Sequence, residues 1–123
     1  MIDHGRLFRE AWIAGVRRHY PGEPKAGYVA AWGETPEWER RAAAVCGQVL
    51  AFIEVSDGAV AKLSREQRGR FVALCWNAQI YRAFSNPKPS YVADWDQLPP
   101  WQQAVDSDIF DAIEVVASEV AST

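Results

Sequence analysis

The chain carries one tryptophan-rich phrase twice: YVAAWGETPEW at 28–38 and YVADWDQLPPW at 91–101, with the shared frame Y-V-A-x-W-x-x-x-P-x-W. Aligning the flanks extends the copy backwards, since Trp12 falls on Trp76, Ala14 on Ala78 and Arg18 on Arg82, with one residue gained or lost in the loop. Each tract lies between two segments of helical period, so the order is helix, proline-bearing loop, tract, helix, and then the same again. A unit of about 55–60 residues is too small to bury both faces of its helices alone. The expectation is a single domain over 1–123, made of repeat 1 (about 6–57) and repeat 2 (about 64–120) packed about a pseudo-twofold axis.

Four segments carry that period. Phe8, Ala11, Trp12, Gly15, Val16 and His19 recur at three- and four-residue steps, and PGEP at 21–24 forbids continuation past Tyr20. In TPEWERR, Thr35 suits an N-cap, Pro36 the first helical position, and Glu37 and Glu39 the positive end of the dipole. The stripe Trp38, Ala42, Val45, Val49, Phe52, Ile53 then predicts one helix to about Val55, ended by SDG at 56–58. Ser64 with Gln67 is a capping-box pair before Phe71, Leu74, Cys75 and Ala78. The last stripe runs Trp101, Val105, Ile109, Ala112, Ile113, Val116, Val120. The fold class is therefore mainly α, with four main helices. The tracts at 28–31 and 91–94 have the β-branched and aromatic content of short strands.

Charge is unevenly placed. Arg65, Arg68, Arg70 and Arg82 make the third helix basic, while Asp106, Asp108, Asp111, Glu114 and Glu119 make the fourth acidic, so two complementary faces are expected to attract each other. A net charge of −3 and a pI near 5.3 argue against binding DNA or RNA, which needs a basic surface to displace phosphate counterions. The apolar runs are too short to cross a bilayer, and MIDHGRLFRE has no apolar leader core, which makes the cytoplasm the expected compartment. Cys46 and Cys75 each lie inside an apolar helical pattern and are expected as buried free thiols; with His4 and His19 alone beside them, no metal site is expected. Asp108 and Asp111 share a helical face but lack a third oxygen ligand at a useful spacing. No phosphate loop or nucleophile elbow occurs, no catalytic residue set emerges, and no cofactor is implied.

The tryptophans carry the binding argument, because six in 123 residues is more than a core of this size needs. Trp38, Trp101, Trp12 and Trp76 sit on apolar stripes and are expected in the core. Trp32 and Trp95 lie just outside a helix start, where a packing role and a ligand-facing role compete. Beside them stand Arg17, Arg18, Lys25 and Tyr28 in one unit, and Arg82, Lys88 and Tyr91 in the other. Aromatic rings can stack a planar base at roughly 1–3 kcal/mol per base, and the basic side chains can hold phosphates. The candidate ligand-binding set is therefore Arg17, Arg18, Lys25, Tyr28, Trp32, Arg82, Lys88, Tyr91 and Trp95.

YVADWDQLPPWQQAVDSDIFDAIEVV resembles the second half of the ryanodine-receptor repeat, with an aromatic, a Leu-Pro and then an acidic helix; REAWIAGVRR resembles the first helix of that repeat, a Trp followed by basic residues. The likeness spans about residues 6–55 and 65–118. It implies paired helical modules, no catalytic set and an association with nucleotides. Small bacterial and phage proteins carry similar one- or two-unit chains, for which sensing or sequestering nucleotide-derived signals in phage–host conflict has been suggested. The expected function is thus a non-enzymatic protein that binds a nucleotide-derived small molecule, as a monomer or homodimer. The alternative is a protein-interaction module with an exposed aromatic patch.

Overall fold

A computed structural model describes residues 3–122, with side chains to Glu119. It is mainly helical, and among the described residues there is no strand. The α-helices are α1 (His4–His19), α2 (Glu37–Ala42), α3 (Val45–Ser56), α4 (Arg65–Ala83) and α5 (Pro100–Ser122). Two 3-10 turns follow α1, at Ala26–Tyr28 and Trp32–Glu34, and two follow α4, at Pro89–Val92 and Trp95–Gln97. The order helix, turn, turn, helix therefore occurs in both halves. No helix among the described residues is long and apolar enough to cross a membrane.

Where strands were expected at 28–31 and 91–94, these turns stand instead. The Tyr28 amide donates to the Lys25 carbonyl at 2.9 Å and the Tyr91 amide to the Lys88 carbonyl at 2.9 Å. Tracts this short satisfy their backbone through these turns and through side chains of α1 and α4, with the Tyr28 and Ala30 carbonyls accepting from Trp12 and Arg9, and the Val92 and Ala93 carbonyls from Asn77.

The helix boundaries follow the punctuation of the sequence. Asp3 caps α1 by accepting from the Arg6 amide at 3.1 Å, and α1 stops at Tyr20, one residue before Pro21. Ser64 and Gln67 form the full capping box of α4. Asp57 (φ 49°) and Gly58 (φ 90°) reverse the chain after α3 through left-handed conformations.

Two details correct the sequence reading. Thr35 does not cap α2; its hydroxyl donates to the Trp32 carbonyl at 2.7 Å and closes the preceding 3-10 turn, so α2 starts behind Pro36. The single helix expected from Trp38 to Val55 is broken at Ala43–Ala44, where three-residue turns bring the Cys46 amide to the Ala43 carbonyl and the Gly47 amide to the Ala44 carbonyl, both at 3.0 Å. Alanine favours helix, so tertiary packing decides this break. It lets α2 lie on α4 while α3 packs against α1, α4 and α5.

Helix α5 is the centre of the domain, packed most extensively against α4 and α1. Val16, Val45, Cys46, Val49, Val72, Val105, Ile109, Phe110 and Ile113 form the buried core. Phe52 stacks on Phe71 at 4.3 Å between centroids, and Phe110 meets both rings edge-on. Cys46 and Cys75 are free and buried, and burial pushes each thiol up to about 11. The attraction between basic and acidic helices is realised along one seam. Arg65 binds Asp108 and Asp111, Arg68 binds Asp111 and Glu114, and from α1 Arg18 and His19 reach Asp108 at 2.8 Å each.

Candidate functional site

Between the two halves lies a cleft of about 500 Å³. Its walls come from α1, α2, α4, the start of α5 and the 3-10 turns, and they are dominated by the rings of Trp12, Tyr28, Trp38, Trp76, Tyr91 and Trp101. The ring contacts are reciprocal between the halves. Trp101 packs on Tyr20 (4.8 Å), Tyr28 (5.8 Å) and Trp12 (6.1 Å), all from the first unit. Its counterpart Trp38 packs on Phe84 (5.3 Å), Tyr91 (6.0 Å) and Trp76 (6.4 Å), all from the second. Each unit thus lends the first tryptophan of its second helix to the aromatic cluster of the other.

Backbone anchors hold these walls. The Trp12 indole donates to the Tyr28 carbonyl at 2.9 Å, and the Asn77 amide donates to the Val92 and Ala93 carbonyls at 3.4 and 3.2 Å. In the first unit Arg9 adds a further clamp. Its Nε and Nη2 donate to the carbonyls of Ala30 (3.0 Å) and Gly27 (2.9 Å), and its Nη1 reaches Glu39 at 3.2 Å. The Arg9 side chain is only 8% exposed. Burial outweighs pairing on both partners, lowering the pKa of Arg9 and raising that of Glu39 despite their mutual attraction. The corresponding positions of the second unit read Ala73 and Gln102, so this clamp has no twin.

The second unit contributes a different charge. Asp106 lines the cleft, is 7% exposed, and among the described residues its carboxyl has no hydrogen-bond or ion-pair partner. Burial alone lifts its pKa well above the ordinary carboxylate range. Its counterpart in the first unit is Ala43. Both sides of the cleft are lined by rings, whereas the charges differ: a paired Arg9 and Glu39 on one side and a lone carboxyl on the other.

The structure separates the sequence-predicted set. Tyr28, Trp32 and Tyr91 line the cleft. Trp95 does not; its ring lies across Gly69, with the Arg70 guanidinium 5.7 Å from its centre. Trp32 lies in the same way across Gly5 while reaching the cleft edge. A Cβ at either glycine would overlap the indole, so both rings are seated by a residue with no side chain. Lys25 and Lys88 stand over Tyr28 and Tyr91 at 5.8 and 5.9 Å from the ring centres. Arg18 is committed to Asp108 on the charged seam, Arg17 is exposed, and Arg82 lines a separate shallow groove between α2 and α4. The basic side chains are not gathered around one point.

Trp12, Trp38, Trp76 and Trp101, expected in the core, do pack against it but also face the cleft. Arg9, Glu39 and Asp106 stand outside the predicted ligand-binding set. The signal was present: Arg9 is in helical register with Trp12 and Val16, and Asp106 with Ile109, Phe110 and Ile113, so each is a charge written into an apolar stripe. No family model, no curated protein and no solved structure matches this chain.

Proposed function

We propose that the protein is a non-enzymatic small-molecule-binding protein whose site is the aromatic cleft, and that its ligand is a nucleotide-derived compound with its base among the tryptophan rings. The observation that carries this reading is the convergence of Trp12, Tyr28, Trp38, Trp76, Tyr91 and Trp101 from both units on one cleft. A volume of about 500 Å³ lies within the range of ordinary ligand sites, which are largely apolar with a few placed polar groups. Stacking on aromatic faces supplies roughly 1–3 kcal/mol per base. Lys25 and Lys88, each over a cleft tyrosine, are the cations nearest to hand for phosphates. The likeness to the ryanodine-receptor repeat points the same way, toward a sensor or a sink for such a compound.

The test is a panel of nucleosides, mononucleotides, dinucleotides and cyclic nucleotides, followed by tryptophan fluorescence and thermal unfolding. A ligand that binds the folded state alone should raise Tm by several degrees at about 100 times its Kd, and should quench the cleft indoles. Absence of both responses at millimolar concentrations rejects the reading. The alternative of a protein-interaction module has one observation in its favour: Leu74 and Tyr81, two helical turns apart on α4, are 68% and 60% exposed. On that reading Leu74→Asp abolishes partner capture and leaves the cleft response intact.

A further inference from the structure

An aromatic cleft receives different ligands depending on the charges set among its rings. Here the phosphate-binding complement is thin inside the cleft. Among the described residues Arg9 is the one arginine or lysine in its lining, and that guanidinium is saturated by Ala30, Gly27 and Glu39. The remaining ionisable groups that line the cleft are Glu39 from α2, Asp106 from α5, and the phenols of Tyr28 and Tyr91 from the turns. Among the described residues none of them is hydrogen-bonded or ion-paired to the Asp106 carboxyl, and Asp106 is more than nine-tenths buried. Its oxygens are not sealed from the cleft, so they reach what enters it, yet a carboxyl this far out of bulk water and without a protein partner is poorly solvated as an anion. A ligand that supplies its complement offsets that poor solvation on binding. Desolvated indole and phenol faces in turn attract cations rather than anions.

We propose that the cleft takes a planar nitrogen heterocycle carrying a positive charge, with Asp106 as its counter-ion and the tryptophan and tyrosine rings as its walls. This rests on the cleft being the binding site, and it specifies the end of the ligand that enters first. A neutral or anionic portion of the same molecule remains outside, toward Lys25 and Lys88. The charged ring stabilises the carboxylate form of Asp106. Where the free protein holds Asp106 protonated, binding releases that proton to solvent, and affinity for the cation rises with pH until Asp106 is ionised in the free protein as well. A neutral ring of the same shape gains stacking alone and shows no such rise. Glu39 keeps its own partner in Arg9 throughout.

The probes are 1-methylquinolinium and its neutral relative quinoline, titrated by calorimetry into the wild-type chain and into Asp106→Asn between pH 6.5 and 8.5, above the range in which quinoline itself takes up a proton. In the wild type at pH 8 the cation is expected to bind about 10-fold or more tightly than quinoline, in keeping with a desolvated charge pair plus cation–π contact. That preference is expected to shrink toward pH 6.5 and to fall to about threefold or less in Asp106→Asn. Calorimetry of the cation in buffers of different ionisation enthalpy should show proton release at the lower end of the range. Equal binding of the two probes by the wild type, or a preference that survives in Asp106→Asn, overturns the proposal while leaving the cleft as the binding site. Binding of neither probe removes both readings. The pH series on the wild type stands alone should the variant fail to fold: a cation preference with no pH dependence and no proton release also overturns it.

Discussion

Asp106 and Asp108 stand two residues apart on α5 and live in opposite worlds. Asp106 faces the aromatic cleft, buried and unpartnered, and burial raises its pKa. Asp108 faces the charged seam. Burial pushes its carboxyl upward too, but hydrogen bonds from Arg65 and His19, and their charges, outweigh it and hold the pKa below the usual value. Two helical steps turn a side chain through about 200°, so the same residue type reports on two different surfaces of one helix. The seam is where the domain gains order from charge. The cleft is where it forgoes stability by holding a poorly solvated carboxyl without a protein partner. Sites that bind tend to be of the second kind, since an unsatisfied group is a vacancy that only a ligand of matching chemistry can fill.

The largest expected effect lies on the seam side. Arg68 binds Asp111 and Glu114, donates to the Val60 carbonyl at 3.2 Å and covers the Phe110 ring at 5.6 Å. Its removal strands Glu114, leaves Asp111 to Arg65 alone and uncovers core. Arg68→Ala should cost about 2–3 kcal/mol by urea unfolding, discounted from a fully buried pair because Asp111 is partly solvated. A loss under about 0.5 kcal/mol would mean that the seam is mere surface decoration. Next comes the seat of the repeated indole. At Gly69 a new Cβ meets both the Trp95 ring and the Ser107 hydroxyl, whereas at Gly5 it meets the Trp32 ring alone. Gly69→Ala should therefore cost about 1–3 kcal/mol, and more than Gly5→Ala. Equal effects would show that the two indole seats are interchangeable.

Much of this architecture was legible in the chain. Pro21, Gly58, Ser64 with Gln67 and the complementary charges of α4 and α5 each act locally, and the structure uses them where they stand. The break at Ala43–Ala44 was not legible, because two alanines carry no stop signal and only packing against α4 decides it. Nor could periodicity tell a tryptophan that ends in the core from one whose outer edge reaches a cleft. Trp12, Trp38, Trp76 and Trp101 are both, since the stripe that buries one edge of each ring ends where the opposite unit leaves space. Asp106 was counted with Asp108 and Asp111 on the acidic face of α5 because composition registers a charge and not its facing.

On the cleft side the predicted sign reverses. Asp106→Asn removes a carboxyl whose ionisation the fold opposes, and should raise stability at pH 7 by about 1 kcal/mol, read from thermal or urea unfolding. The linkage fixes the pH window. With the folded pKa above the unfolded value of about 3.9, the wild type carries no penalty below that pH and loses stability as pH rises through the folded pKa. The gain from the substitution should accordingly be near zero at pH 3.5 and grow toward neutral pH. A gain that is constant across that range would assign the effect to packing rather than to charge.

The smallest effect is the sharpest test, because it asks the neighbouring aspartate to do the opposite. Asp108→Asn should cost about 0.5–1 kcal/mol at pH 7, modest because Arg18 and Arg65 are more than half exposed at 63% and 52%. Its folded pKa is depressed, so the stabilisation is present above the unfolded value of about 3.9 and is lost as pH falls through the folded pKa. The cost of the substitution should therefore vanish at low pH, where the benefit of Asp106→Asn also vanishes, and the two variants should converge on the wild type from opposite sides. Salt separates them further. Raising NaCl to about 1 M shortens the screening length to about 3 Å and should erase most of the Asp108→Asn deficit. The Asp106→Asn gain should persist, since it arises from desolvation in a cleft rather than from a charge across solvent. If salt erased both, Asp106 would be titrating against a charge in the seam, and the two faces of α5 would be one electrostatic unit.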